Sequence, residues 1–280
     1  MRQFLVGLTS QGAVVTILRL LTILRRVDCG QLLAWWAVDG RDSMSKYAVI
    51  LAAAGKSQRF GDPHKNKVFS TIDAKPLWMY AAEAFSKRAD VAEIVLVISP
   101  DDREMFGEKF AGNAAILGVR AVVGGSSRAE SVLNGLNALA ANAPYVAVHD
   151  AARPCIAQPW IDAVFATAAE RGAAILATPC HSTLKKVDGN RKIVETVPRD
   201  GLWLAQTPQV FKTDLLRRGY DAHPNPVQAT DDAAIVAALG VEITVVEGSP
   251  LNVKVTTKSD LRFAELAMKA LPKPKLFPFG

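Results

Sequence analysis

Cysteine is scarce and scattered: Cys29, Cys155 and Cys180 form no CxxC pair. That argues against a zinc site or a disulfide framework and suits a reducing compartment, so the chain is expected in the cytoplasm. The sequence holds no GxxxxGK[ST] and no GxGxxG, which counts against P-loop hydrolases and nicotinamide dehydrogenases. A membrane-spanning run is also missing. The apolar stretch at residues 14–24 is broken by Arg19 and followed by Arg25 and Arg26, too short and too charged to cross a bilayer. Lys and Arg form no run. The net charge of +6 comes in separate clusters, which fits a small phosphorylated substrate better than nucleic acid. Nor is there an obvious Ser or Cys nucleophile with an orienting acid.

Half of the 280 residues are apolar, so the chain can bury a large core in one large domain or two small ones. One stretch organises the rest, residues 48–67. It opens on a short apolar run, Ala48-Val49-Ile50-Leu51, which reads as a buried strand. Ala52, Ala53, Ala54 and Gly55 come next, too small to keep a ligand from the backbone. Lys56, Arg59, Lys65 and Lys67 then bring four cations. Main-chain N–H groups freed by small side chains, with cations beside them, suit a polyphosphate. A strand followed by a solvated basic turn is the plainer alternative.

Residues 1–43 differ in character from the remainder of the chain. Their Arg content weakly resembles a transit peptide, but Met44 directly precedes the first good strand. The expected organisation is an extension at 1–43, disordered or from a mis-assigned start, one domain at 44–271, and a flexible tail at 272–280 carrying Pro272 and Pro274. No fused second domain is expected after the last helix. Strand patterns at 94–98, 120–123, 145–148, 173–177 and 241–246 alternate with helical patterns at 76–87, 127–140, 159–171 and 231–239. Thr230 and Gly240 are the expected caps of the last of these. Such alternation predicts a mostly parallel sheet covered on both faces, with the ligand beyond the strands' carboxyl ends. Two polar strands flanking Asp188-Gly189-Asn190 predict a hairpin arm, at about 181–201, reaching out of the domain.

Five clusters can meet at the carboxyl edge. The opening loop offers Arg59 and Lys67. Residues 124–131 run from a Gly pair into a helix N-terminus with Arg128 and Ser131, able to read a base or phosphate or simply to form a βα turn capped by Ser127. Asp150, after a buried strand, can hold magnesium or a ribose hydroxyl, or serve as a cap or an Arg partner; His149 beside it reads as a packed side chain. Thr183 and Arg199 flank the arm, where surface charge is the ordinary explanation. Lys254, between Val253 and Val255 in a strand-like segment, should point away from their face, toward solvent or a phosphate.

Six motifs in order, AAAGKSQRFG (52–61), GGSSRAESVLNGL (124–136), VHDAARPC (148–155), QTPQVF (206–211), TDD (230–232) and LNVKVT (251–256), closely resemble the 2-C-methyl-D-erythritol 4-phosphate cytidylyltransferase family over about residues 46–270. The resemblance implies a three-layer α/β/α Rossmann-like nucleotidyltransferase fold, CTP and 2-C-methyl-D-erythritol 4-phosphate as substrates, magnesium, and a homodimer with exchanged β-arms. By motif, Arg59 and Lys67 match the pair that stabilises the transition state. Ala53, Ala54, Gly55, Gly125 and Ser131 match the cytidine pocket, with Arg128 beside it. Asp150 matches the acid near the ribose and the metal. Thr183 and Arg199 match the arm residues that grip the acceptor, and Lys254 and Thr256 complete its phosphate site. Two departures stand out: Ser126-Ser127 replace more acidic residues, and His181-Ser182 precede Thr183 where the family often has an acid.

The implied chemistry joins two anions, an acceptor phosphate and the α-phosphorus of CTP. That calls for positioning and charge neutralisation rather than a general base. Two alternatives remain open from the sequence. One is a cytidylyltransferase for another polyol phosphate, such as ribitol 5-phosphate; the other is a non-catalytic nucleotide-binding protein on the same fold.

Overall fold

A computed structural model describes residues 46–55, 60 and 66–272. The expected extension at 1–43, the loop cations Lys56, Arg59 and Lys65, and the tail beyond Pro272 lie outside the described residues.

The first strand, β1 (Tyr47–Ala52), is buried almost throughout. It sits inside a seven-stranded sheet with β4 (Val91–Ile98), β5 (Val119–Val123), β6 (Tyr145–Asp150), β7 (Ala173–Pro179), β10 (Trp203–Lys212) and β11 (Thr244–Glu247). The spatial order is β11-β7-β10-β6-β1-β4-β5. Only β10 runs antiparallel to its neighbours. The chain moves outward from β1 through β4 to β5, then crosses back to β6 on the other side of β1. That reversal opens a crevice at the carboxyl ends of β1 and β6. There Ala52 lies in register with Asp150.

Side chains alternate across the sheet as a pleated strand requires. Val49 and Leu51 face a cluster formed with α1 (Leu77–Ser86), α2 (Arg103–Ile116) and α4 (Gln158–Arg171), centred on Trp78, Phe85, Phe106 and Phe165. Ile50 faces the opposite cluster, formed with α3 (Arg128–Ala138), α5 (Thr213–Ala222) and α6 (Asp232–Ala237). The result is the expected three-layer α/β/α arrangement. A third cluster packs α7 (Lys258–Lys269) against Leu77, Cys155 and Val255. Gly135 explains how closely α3 approaches the sheet: a Cβ there would lie 2.8 Å from both Ile50 and Val97. This seats the N-terminus of α3, and hence Arg128, at the sheet's carboxyl edge.

Two short strands, β2 (Thr71–Ile72) and β3 (Lys75–Pro76), form a small hairpin. The predicted arm is present as β8 (Leu184–Val187) and β9 (Ile193–Val197), largely exposed and, among the described residues, paired only with each other. Asp188 closes the turn. The Asp188 carboxylate accepts from the N–H groups of Asn190 and Lys192, and Arg191, not Gly189, takes the positive φ.

Four local expectations are corrected. Strand β11 starts at Thr244 rather than Val241; Val241 and Ile243 pack on the second cluster instead of pairing. Asp231, not Thr230, caps α6, because its carboxylate reaches the Ala234 N–H at 2.9 Å. That helix stops at Ala237, and Gly240 comes after it with φ +74. The segment around Lys254 is irregular rather than a strand, although Val255 is buried and Lys254 is turned away from it. Among the described residues no helix is long and apolar enough to cross a membrane.

Candidate functional site

The opening loop leaves β1 with the Ala53 N–H donating to Val97 O at 2.9 Å. Asn66, not singled out from the sequence, anchors its far end. The Asn66 Nδ2 donates to Ala53 O and to Asp102 Oδ2, both at 2.9 Å. Its Oδ1 caps the short 3-10 turn Lys67–Phe69 by accepting from the Val68 N–H. Val68 and Phe69 are buried and fix that turn, which leaves Lys67 at the rim. Gly124 has no side chain for a reason: a Cβ there would lie 2.6 Å from Ser131 Oγ and 2.8 Å from the Ala54 methyl group.

The second wall is the Gly-Gly turn before α3. Ser127 caps the helix, its Oγ accepting from the Glu130 N–H at 3.1 Å. Ser131 Oγ accepts from the Gly125 N–H at 3.1 Å and donates to Ser127 O at 2.7 Å, so this hydroxyl holds the turn's shape. Glu130 folds back and accepts from both N–H and Oγ of Ser126. A side chain at position 125 would collide with it, since a Cβ there falls 2.4 Å from Glu130 Cβ.

Asp150 forms the floor, and three cations converge on it. Lys254 Nζ is 2.7 Å from Oδ2, Arg153 Nε is 3.5 Å from Oδ2, and Arg128 Nε is 3.8 Å from Oδ1. Burial works against ionisation of Asp150, yet Lys254, Arg128 and Arg153 overrule it and hold the carboxyl well below the usual carboxylate range. Arg128 is shifted upward: burial disfavours its charge, but Asp232 and Asp150 more than offset that.

A buried hydrogen-bond network supports this floor from beneath. The Asp150 N–H donates to Thr207 Oγ1 at 3.0 Å. Thr207 Oγ1 also lies 3.0 Å from His149 Nδ1, and His149 Nε2 lies 3.1 Å from Arg153 O. A carbonyl can only accept, so Nε2 carries the proton and Nδ1 accepts from the threonine. His149 is wholly buried, and burial pushes its pKa down to about 4. It is a packed, neutral, hydrogen-bonded side chain, as expected. Asn252 donates to Thr207 O at 2.9 Å, and its main-chain carbonyl accepts from Arg153 Nη1 at 2.7 Å.

Together these walls enclose a cavity of about 180 Å³. Of the residues proposed from the sequence, Ala53, Ala54, Gly55, Lys67, Arg128, Ser131, Asp150 and Lys254 line it. Gly125 shapes the wall without lining the cavity. Thr256 is occupied elsewhere: its hydroxyl donates to Asp260, beside the capping box of α7. Thr183 and Arg199 sit at the exposed root of the arm, where Arg199 Nη1 donates to His181 O. Arg59 lies outside the described residues. Asn66, Arg153, Thr207 and Asp232 were not selected as site residues from the sequence, although Arg153, Thr207 and Asp232 stand within quoted motifs and Arg153 is the neighbouring Arg allowed as a partner for Asp150. A larger groove of about 620 Å³ lies between α2 and β5, but it is mostly apolar. Its Arg120 is already engaged by Glu93 and Ala138 O.

No cluster of three or more His, Cys, Asp or Glu occurs among the described residues, so Asp150 is the acid available at the cavity. Its Oδ2 faces Lys254 and Arg153, whereas Oδ1 faces only Arg128 at 3.8 Å among the described residues. A hard cation that takes one carboxylate and completes its shell with phosphate oxygens and water fits such a group.

A family model described as 2-C-methyl-D-erythritol 4-phosphate cytidylyltransferase matches residues 47–270. The chain is 43% identical over 229 residues to the protein of that name from Rhodopirellula baltica, across 78% of this chain and 93% of that one. It is 38% identical over 227 residues to that of Bacillus velezensis, across 80% and 97%. The crystal structure of the Francisella tularensis 2-C-methyl-D-erythritol 4-phosphate cytidylyltransferase superposes with a TM-score of 0.69 at 29% identity, covering 80% of this chain and all 100% of that one. That of Thermus thermophilus gives 0.66 at 32% identity, with 81% and 100% covered. Both the order of motifs and the fold that carries them therefore agree: this chain belongs to the 2-C-methyl-D-erythritol 4-phosphate cytidylyltransferase family.

Proposed function

We propose that this chain joins the CMP moiety of CTP to the phosphate of 2-C-methyl-D-erythritol 4-phosphate, releasing pyrophosphate, in non-mevalonate isoprenoid precursor synthesis. The observation that carries the reading is the convergence of Lys254, Arg153 and Arg128 on Asp150 at the cavity floor. In the reaction, an oxygen of the acceptor phosphate attacks the α-phosphorus of CTP. The bond from that phosphorus to the oxygen bridging it to the β-phosphorus breaks, and the electron pair leaves with pyrophosphate. The acceptor phosphate is already ionised at neutral pH, so no general base is required. The protein's work is to hold two anions together and neutralise the charge that spreads between them.

Lys67, with Arg59, is assigned to the α-phosphate. Ala53, Ala54, Gly55, Gly125, Ser131 and Arg128 are assigned to the nucleotide, and Lys254 to the acceptor's phosphate; Thr256 would join Lys254 there only by giving up Asp260, to which its N–H and hydroxyl both donate. Asp150 is assigned to the ribose and to magnesium, which when bound neutralises triphosphate charge and stabilises the departing pyrophosphate. Thr183 and Arg199 are assigned to the acceptor held by a second copy of the chain. What supports a homodimer is the arm: Ile193 and Val194 upon it, and Leu202, Trp203 and Leu204 at its base, are all exposed apolar side chains. Cytoplasmic residence is supported by the free thiols Cys155 and Cys180, both buried and unbridged.

Pyrophosphate release tests the assignment. It is measured with CTP and magnesium, adding 2-C-methyl-D-erythritol 4-phosphate, ribitol 5-phosphate or no acceptor. Release that requires the methylerythritol phosphate is expected. Release with ribitol 5-phosphate alone would move the acceptor assignment, and release with neither would remove the activity.

A further inference from the structure

Arg128 joins two carboxylates in very different settings. Its Nε faces Asp150 at the cavity floor. Its Nη2 donates to Asp232 Oδ2 at 2.7 Å, and Asp232 is completely buried at the start of α6. The other Asp232 oxygen accepts from the Tyr220 hydroxyl, also at 2.7 Å, on α5. Three separate helices thus meet in one chain of contacts, Tyr220 to Asp232 to Arg128. Neither Tyr220 nor Asp232 lines the cavity, whereas Arg128 does.

An acid this deep is costly to bury, and a well-packed apolar group of similar volume often stabilises a core as well. Packing alone therefore gives little reason for Asp232. The guanidinium offers one. It is planar, with five N–H donors in a fixed fork, so gripping one edge fixes the plane in which the remaining donors point. The free edge has a competitor close by: Asp150 Oδ1 is 3.8 Å from Nε. Without an inner anchor, Arg128 would swing onto Asp150 and be lost to an incoming ligand.

We propose that Asp232 and Tyr220 are positioning residues for nucleotide recognition, holding the inner edge of the Arg128 guanidinium so that its outer edge meets the nucleoside triphosphate. This rests on reading the cavity as the CTP site. Preorganisation of this kind lowers the entropy lost when a long side chain is fixed on binding. Burial, then Asp232, raises the Tyr220 phenol, which keeps it a donor across the working range.

The test is CTP affinity by titration calorimetry with magnesium, on the full chain, alongside kcat and the ligand-free melting temperature. Tyr220→Phe should weaken CTP binding roughly 2- to 10-fold, and Asp232→Asn about 10-fold, with kcat changed less than affinity. The decisive comparison repeats Tyr220→Phe in an Arg128→Ala background, where its effect on CTP should vanish. Should Arg128→Ala not fold, Arg128→Lys takes its place, since a single ammonium cannot grip with one edge and present another. Folded Tyr220→Phe and Asp232→Asn proteins with unaltered CTP affinity would overturn the proposal, as would equal effects in both backgrounds. A lower melting temperature alone would mean a structural role. Arg128→Ala leaving CTP affinity untouched would instead overturn the placement of the nucleotide.

Discussion

Lys254 Nζ lies 2.7 Å from Asp150 Oδ2, so the cation expected at a substrate phosphate is paired with a protein carboxylate. Asp150 balances three cations. Its replacement by Asn should leave Lys254 and Arg153 without their carboxylate, while Arg128 keeps Asp232. The expected cost is about 2–4 kcal/mol, discounted from the fully buried case because Lys254 keeps part of its side chain in water. Thermal unfolding checks this, and added inorganic pyrophosphate should raise the melting temperature of Asp150→Asn more than that of the wild type. Equal stability of the two proteins would contradict the placement of those charges.

His149 predicts a pH dependence of stability. Its folded pKa is about 4 against an ordinary value near 6.5, because burial disfavours the imidazolium. Between those values the unfolded chain binds a proton that the folded chain does not, so stability rises with pH. It is complete above about pH 6.5 and falls as pH drops toward 4, by about 3 kcal/mol in all. Asp150 also has a depressed folded pKa, from a lower reference value, so its contribution is lost only at lower pH still. Urea unfolding at pH 7 and pH 5 should show the loss in wild type and a smaller one in His149→Gln. Identical slopes would exclude His149 as the source.

The arm predicts complementation between subunits. Thr183 and Arg199 are exposed and stand apart from the residues that line the cavity. If they serve a second copy's site, a mixture of Arg199→Ala and Lys67→Ala chains should recover activity, because one site of each mixed dimer is intact. Activity is compared before and after subunit exchange, followed by labelled chains. No recovery in an exchanged sample would mean that each site is built within one chain.

Much of this architecture was legible because strands buried on both faces write themselves as apolar runs, as in β1, β4 and β6. Asp150 and Ser127 were legible for the same reason, since each stands where such an element ends or begins. Helix α2 was not, because only Phe106 and Ala114 on it are buried and its apolar stripe is faint. Strand β10 hid behind its own polarity. Gln206, Thr207 and Gln209 are buried within it, and Pro208 falls where a central strand is not expected. Register shifts between Ala205 and Gln209 accommodate that proline. The grip of Asp232 on Arg128 left no local trace, because its partners come from different helices. The side on which Lys254 lies followed from its flanking valines, whereas its pairing with Asp150 did not.

The central claim is that the site works by neutralising charge at the α-phosphate, and Lys67 tests it most directly. Steady-state kinetics of Lys67→Ala with CTP and 2-C-methyl-D-erythritol 4-phosphate should show kcat lowered about 100-fold or more, the scale of one preorganised electrostatic contact. The KM for CTP should change far less, since on the proposed reading backbone N–H groups and magnesium would still hold the triphosphate. Lys67→Arg should recover only part of the rate, Arg59→Ala should behave like Lys67→Ala, and Lys56→Ala and Lys65→Ala should stay within a few-fold of wild type. A Lys67→Ala enzyme with kcat intact and only a raised KM for CTP would make the residue a ground-state anchor and contradict the account.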